Sequence, residues 1–137
     1  MTSPLNTEDY AALATFRYAL RKFLRFSKEF LAAKAKLTPE QYEALLALKA
    51  FSTSKGLLVG ELSERLQVKH HTAVSLTDKL VARKLATRRR GRSDRRQVYV
   101  KLTGAGSKLL TSLAAVHREE IRVRSSEMID PLKRLQR

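Results

Sequence analysis

Positive charge is concentrated in a short stretch of this chain, from Arg83 to Arg96. These fourteen residues carry eight lysine and arginine side chains and a single acid, Asp94. Like charges so close together repel one another, and the repulsion is relieved when phosphates neutralise them and release counterions. Most runs of like charge are solvated loops. The predicted helices that precede the stretch from Arg83 to Arg96 favour a contact with nucleic acid instead.

The composition indicates one domain with a strong excess of positive charge. Of the 137 residues, 43% are hydrophobic, which is enough for a core, and the net charge is +15. The absence of cysteine excludes disulfides, thiolate metal sites and thiol redox sensing. The residues after Met1 are polar and acidic, unlike a signal peptide, and no apolar run is long enough to span a membrane. We therefore expect a cytoplasmic protein with no membrane contact.

Two long segments have apolar residues at three- and four-residue steps, which predicts amphipathic helices. The first covers residues 8–34. The last begins after Thr103, which can cap it, and continues to about Met128. Asp130-Pro131 then predicts the cap and first turn of a separate, short final helix that ends near Arg137.

Three shorter helices are predicted between the long ones. Thr38-Pro39-Glu40-Gln41 offers a capping hydroxyl, a first-turn proline and a capping-box glutamine, which predicts a helix that continues to about Phe51. After a loop, short helices are predicted at 60–66 and 71–83 with only a tight turn between them. Two such helices form a helix-turn-helix, whose second helix enters the major groove of DNA.

A basic hairpin follows the helix-turn-helix. Val98, Val100 and Leu102 alternate with polar residues, which predicts a half-buried strand, and residues 85–89 are its antiparallel mate. The sequence therefore predicts a mainly α (α+β) fold: a winged helix-turn-helix with a two-stranded β wing, flanked by N- and C-terminal dimerisation helices.

Four segments of the sequence resemble the MarR family of bacterial transcriptional regulators. The most specific is the Asp-Arg-Arg element that precedes a Leu-Thr pair, and the resemblance covers about residues 37–110. The four segments are Leu62-Ser63-Glu64-Arg65-Leu66-Gln67-Val68, Leu76-Thr77-Asp78-Lys79-Leu80, Asp94-Arg95-Arg96 and Leu102-Thr103-Gly104-Ala105-Gly106.

The resemblance implies a single MarR-like domain over residues 1–137. Helices at 8–34 and 104–137 would form a homodimer, and residues 38–103 would be the winged-helix lobe that binds double-stranded DNA. Such a protein would bind an inverted-repeat operator as a repressor or, less often, an activator, and would be located on the bacterial nucleoid when bound. A small ligand, often aromatic, would release it from DNA.

The resemblance also implies roles for single residues. Arg96 would enter the minor groove from the wing tip, and Asp94 would hold the tip in shape. Lys84 stands where family members commonly have a glycine at the end of the recognition helix. This position predicts a positive φ for a residue that has a side chain.

Helical spacing separates a buried from an exposed face in the second helix of the helix-turn-helix. Positions 73, 76, 77 and 80 form the buried stripe, so the opposite face points to DNA. We expect polar side chains there to contact base edges, Val74 to contact a thymine methyl, and the lysines and most arginines to contact phosphate. The predicted DNA contacts are Lys69, His70, His71, Thr72, Val74, Ser75, Lys79, Arg88, Arg89, Arg90, Arg92, Asp94, Arg95 and Arg96.

The long helices carry apolar stripes that the winged helix cannot cover alone. These stripes predict a two-fold dimer, and the alternative is that they fold back on their own lobe. Tyr10, Phe16, Arg17 and Tyr42 are candidates for an effector pocket with one cation for an acidic ligand. Aromatic residues at helical spacing are more often core residues, so that alternative also stays open.

Other functions have weaker support in the sequence. His70 and His71 are neighbours and diverge by about a hundred degrees on a helix, so they cannot easily bind one metal ion. No nucleophile, base or carboxylate pair forms a recognisable catalytic set. We therefore expect no metal, no cofactor and no enzymatic activity. The main alternative function is a non-specific architectural nucleic-acid-binding protein, because positive charge would serve either role.

Overall fold

The computed structural model describes residues 3–137, which form five helices and a small sheet. The first two residues of the predicted 1–137 domain lie outside the described residues. The mainly α winged-helix fold predicted from the sequence is confirmed. The elements in chain order are α1 (Thr7–Ala35), α2 (Pro39–Phe51), β1 (Leu57–Leu58), α3 (Val59–Leu66), α4 (His70–Ala82), β2 (Ala86–Arg90), β3 (Val98–Leu102) and α5 (Gly104–Leu135).

Short-range hydrogen bonds fix the starts of the helices. At the predicted start of α2, the Thr38 hydroxyl accepts from the Gln41 N–H at 3.2 Å, and the Gln41 side chain accepts from the Thr38 N–H at 2.9 Å. At the start of α5, the Thr103 hydroxyl accepts from the Gly106 N–H at 2.9 Å. These side chains satisfy backbone donors that no helical turn can reach, so the predicted caps are confirmed.

The sheet has three strands rather than the two that were predicted. It is antiparallel in the order β1-β3-β2, with Leu57 opposite Val100 and Ala86 opposite Leu102. A strand of two residues is too short to show an alternating pattern, so the sequence did not indicate it. It forms because Leu57 enters the core and its backbone can pair with the open edge of β3.

The predicted break at Asp130-Pro131 is wrong, because α5 continues to Leu135 with Pro131 inside it. Pro131 is buried, and α1 forms ion pairs with α5 on both sides of it, from Lys22 to Glu127 and from Glu8 to Arg134. Packing against α1 thus overrides the local preference of proline for a helix start. Although α1 and α5 are long, none of the described helices is apolar enough to cross a membrane.

The core lies between the sheet and the helices of the winged-helix lobe. Its most deeply buried apolar side chains are Leu31, Leu45, Leu48, Leu57, Leu62, Leu80 and Val100. The antiparallel α1 and α5 pack on each other and on α2, which joins the long helices to the lobe.

The ends of three helices have backbone in the left-handed region. Lys36, Gln67 and Lys84 have φ values of 52°, 53° and 61°. The positive φ predicted for Lys84 is confirmed. It turns the chain sharply from α4 towards β2, so the basic wing begins directly beside the second helix of the helix-turn-helix.

Candidate nucleic-acid interface

Helix α4 presents one polar face to solvent. Ala73, Leu76, Thr77 and Leu80 are buried, as the spacing predicts, and the Thr77 hydroxyl donates to the Ala73 carbonyl at 2.8 Å. The opposite face carries small and polar side chains that are free to contact another molecule. Its exposed members are His70, His71, Val74, Ser75 and Asp78, and Thr72 is half-buried at the edge.

The N-terminus of α4 is open. Lys69 is the N-cap residue, and its side chain accepts no hydrogen bond from the first turn. The N–H groups of that turn therefore lack a side-chain acceptor, and the positive end of the helix dipole lies beside His70 and His71. This end of the helix suits an anion such as a DNA phosphate.

The strands of the wing expose a row of arginines. Arg88, Arg89 and Arg90 are all exposed on β2, while the opposite residues of β3 are buried or half-buried. Arg92, Arg95 and Arg96 continue the exposed positive charge through the turn. The wing thus presents the guanidinium groups that the sequence assigned to phosphate contacts.

Hydrogen bonds order the turn at the tip of the wing. The Gly91 N–H donates to the Gln97 carbonyl at 2.9 Å, and the Gln97 N–H donates to the Asp94 carbonyl at 3.1 Å. The Arg90 guanidinium donates to the Arg95 carbonyl at 2.9 Å. Gly91 is required by close approach, because a Cβ there would lie 2.5 Å from the Asp94 carbonyl oxygen.

Asp94 also fixes Arg96. Its carboxylate accepts from the Arg96 N–H at 3.0 Å and from the Arg96 Nε at 3.2 Å. The Arg96 side-chain hydrogen bond, followed by the backbone one, holds the pKa of the Asp94 carboxyl below its usual range. The Arg96 side chain is nevertheless 92% exposed. The tip therefore presents an oriented guanidinium to solvent.

An ion pair connects the wing with α4. The Arg88 guanidinium of β2 contacts the Asp78 carboxylate on the exposed face of α4. Among the described wing residues that were predicted to contact DNA, Arg88 is thus the one whose acidic partner belongs to another element. The partner of Arg96, Asp94, lies within the wing.

A groove of about 830 Å³ separates the wing from the helices. Its lining combines apolar residues with four arginines, one histidine and one acid, so positive charge predominates there and it can receive a polyanion. It is lined by Leu58, Val59, Gly60, Glu61, His70, Val74, Thr77, Arg88, Arg89, Arg90, Arg96, Gln97 and Val98.

The four candidate effector residues lie in different surroundings. Tyr10 is 60% exposed, Arg17 is exposed and Phe16 is half-buried, all on α1. Tyr42 is a core residue of α2, and burial raises the pKa of its hydroxyl. None of the four lines the groove or a smaller cavity of about 370 Å³ between α1 and α5.

A buried polar cluster, which the sequence did not indicate, joins α1, α2 and α5. His117 lies 2.9 Å from the Ser27 hydroxyl through Nε2 and 2.8 Å from the Leu113 carbonyl through Nδ1. A carbonyl only accepts, so Nδ1 carries a proton, and in a neutral ring Nε2 accepts from Ser27. The ring stacks on Tyr42 at 4.3 Å. His117 therefore has a structural role. Among residues 3–137, no group of three or more His, Asp and Glu side chains could hold a metal ion.

The long helices leave large apolar side chains in contact with solvent. They belong to both α1 and α5. The exposed set is Tyr10, Leu13, Tyr18 and Leu24 on α1, with Val116, Ile121, Val123, Ile129 and Leu132 on α5.

Comparisons with known proteins agree with this architecture. Residues 35–97 match the model of the MarR family. No curated protein matches the chain. The structure of AbsC from Streptomyces coelicolor, a MarR family transcriptional regulator, has a TM-score of 0.76 and 20% identity over 90% of this chain and 82% of that one.

Two structures of MepR from Staphylococcus aureus are also similar. The G34K mutant has 25% identity and a TM-score of 0.72, over 82% of this chain and 80% of that chain. A complex of MepR with DNA has 24% identity and a TM-score of 0.73, over 90% of this chain and 85% of that chain.

Proposed function

Because this chain has a winged-helix fold and matches the MarR family model over residues 35–97, we propose that it is a transcriptional regulator of the MarR family that binds double-stranded DNA in a sequence-specific manner. The observation that carries the proposal is the position of the exposed face of α4 beside an arginine-rich wing. The similarity to MepR, which has been solved with DNA, supports it. A non-specific binder would need the positive charge but not the ordered wing tip.

In this proposal, α4 lies in the major groove. His70, His71 and Ser75 are exposed and carry donors and acceptors for base edges, and Val74 can contact a thymine methyl. The lysines at the two ends of this face, Lys69 and Lys79, contact phosphates. Thr72 is half-buried and lies at the edge of the contact.

The wing supplies affinity and one shape-dependent contact. Arg89, Arg90, Arg92 and Arg95 contact phosphates, which adds affinity and salt dependence without sequence information. Arg96, oriented by Asp94, enters the minor groove. A narrow, A·T-rich groove concentrates negative potential and favours an inserted arginine.

The protein acts as a homodimer. The nine exposed apolar side chains of α1 and α5 need a cover, and a second copy of the same surface is the commonest way to supply one. A two-fold dimer places its two α4 helices on half-sites of an inverted repeat, about one helical turn apart.

The regulator is a repressor that a small ligand releases from DNA. Tyr10 is one of the exposed apolar side chains that the second subunit would cover, and Arg17 is exposed two turns later on α1. A pocket built from them and Phe16 would be completed by the dimer, with Arg17 as the cation for an acidic ligand. Tyr42 would contribute only indirectly, because it is buried against His117.

Selection of bound sequences from a random duplex pool tests the DNA-binding proposal. We expect an inverted repeat to emerge and to bind roughly 10³-fold or more tightly than random DNA at the same salt concentration. The architectural alternative predicts no enriched sequence and almost complete loss of affinity at high salt. A pool that stays random after several rounds would contradict the proposal.

A further inference from the structure

Asp78 is the one acid of the chain between Gln67 and Ser93, and it lies on the face of α4 that is proposed to enter DNA. A carboxylate on such a face repels phosphates. In the structure, however, the Arg88 guanidinium contacts it from the first strand of the wing. The two side chains remain 52% and 48% exposed, so the pair lies at the surface that DNA approaches.

The ion pair changes what Arg88 can do. A guanidinium that already neutralises a carboxylate adds no net charge for a phosphate and releases no counterion when DNA binds. The neighbouring Arg89 is also exposed on β2, but within the described residues it has no acid partner. Two adjacent arginines of one strand are therefore in different electrostatic states.

The pair also connects two elements that must contact DNA together. Asp78 belongs to the helix that reads the major groove, and Arg88 belongs to the wing. The groove of about 830 Å³ separates these elements, and Thr77 and Arg88 both line it. The ion pair between the two elements limits how far the wing can move relative to α4.

We propose that Asp78 is a positioning and specificity-determining residue: it withholds Arg88 from the phosphates and holds the wing beside α4. The inference rests on the proposed DNA-binding function. By withholding Arg88, Asp78 weakens the phosphate contacts that DNA of any sequence makes. By holding the wing beside α4, it keeps the contacts of α4 with the bases of the correct sequence. Arg88 is then a link within the protein rather than one of its phosphate contacts.

Two variants of the full chain test this inference through the salt dependence of binding. Asp78→Asn should release Arg88 to a phosphate. Each phosphate contact steepens the plot of the logarithm of the association constant against the logarithm of salt concentration by about 0.9. Over the tenfold range from about 1 M to about 0.1 M salt, this slope corresponds to a gain in affinity of roughly eightfold. For each subunit that contacts the duplex, we therefore expect Asp78→Asn to bind a scrambled duplex about eightfold more tightly, with a slope steeper by about 0.9.

The double variant Asp78→Asn/Arg88→Gln should return the slope and the affinity for the scrambled duplex to the wild-type values. Arg89→Gln is the matched control, because a free phosphate contact on the same strand should make the slope shallower by about 0.9. Asp78→Asn should also narrow the ratio between the affinities for the selected and the scrambled duplex. The released Arg88 tightens binding to both, but loss of the link between the wing and α4 weakens only the contacts that depend on the correct sequence. Circular dichroism spectra that match the wild type would show that the variants fold.

The opposite pattern would overturn the inference. If Asp78→Asn leaves the slope unchanged and the double variant loses about 0.9, then Arg88 already contacts a phosphate in the wild-type complex. Failure of the proposed function would give another result. The wild-type chain would then bind the selected and the scrambled duplex with equal affinity, whatever the salt slopes of the variants.

Discussion

Replacement of Gly106 by alanine should destabilise this protein, although glycine to alanine inside a helix normally stabilises by about 1 kcal/mol. Gly106 is buried in the first turn of α5. A Cβ built there would lie 2.0 Å from the Leu85 carbonyl oxygen, and real contacts are essentially never closer than 3.0 Å. The helix must therefore move away from the start of the wing by roughly 1 Å.

The cost of that movement follows from the contacts at the junction. The Thr103 N–H donates to the Leu85 carbonyl at 3.1 Å, and the Thr103 hydroxyl donates to the Lys84 carbonyl at 2.7 Å. Loss of two ordinary hydrogen bonds costs about 1–3 kcal/mol. If the helix stays in place instead, overpacking costs about 1–3 kcal/mol. After subtraction of the helix propensity of about 1 kcal/mol, we expect a net loss of up to about 2 kcal/mol.

Urea denaturation of both proteins measures this difference, at one protomer concentration because the stability of the proposed dimer would depend on concentration. Gly104→Ala is the matched control: it lies in the same turn, and its Cβ would meet nothing within 4 Å. That variant should be as stable as the wild type or slightly more stable. If Gly106→Ala were as stable as Gly104→Ala, the close packing of α5 on Leu85 would be refuted.

Four other perturbations give further predictions. Arg96→Ala should weaken binding to the selected duplex by about 1–3 kcal/mol in a titration at fixed salt, and unchanged binding would remove Arg96 from the minor groove. Because the pKa of Asp94 is lowered, its contribution to the folded wing is present above its unfolded pKa of about 3.9 and is lost as pH falls through the folded value. Nuclear magnetic resonance signals of the wing tip should therefore not change from pH 8 to 5, and a change near pH 6 would contradict this. Val123→Glu, at a side chain that is 71% exposed, should leave the protomer folded but shift sedimentation towards the monomer, whereas an unchanged dimer would place the interface elsewhere. His117→Phe leaves the Ser27 hydroxyl without its partner and should cost about 1–3 kcal/mol in thermal unfolding; an unaltered melting temperature would argue against the buried cluster.

Local patterns predicted most of the fold. The buried stripe of α4 followed from helical spacing alone, and the start of α2 followed from the hydroxyl and glutamine at its first turn. The alternation of Val98, Val100 and Leu102 predicted β3 with its correct bounds. In each case the signal lies within a few residues of the element, where periodicity and capping operate.

The features that the sequence did not predict depend on contacts between distant residues. Pro131 stays inside α5 because of packing against α1, a hundred residues earlier, and β1 exists only because β3 offers an open edge. The pairs Asp78–Arg88 and Ser27–His117 also join separate elements. Charge counts showed that the wing is basic, but they could not show which of its arginines is already paired.

We expect two copies of this chain to place α4 and the wing on the two halves of one inverted repeat. The mass of the complex on the selected duplex measures how many copies bind. Affinity for a second duplex, in which five base pairs are inserted between the half-sites, tests whether both copies bind together. The insertion turns one half-site by roughly half a helical turn relative to the other. We expect two chains on the selected duplex and a large loss of affinity on the second. One chain per duplex, with equal affinity for both, would contradict this arrangement.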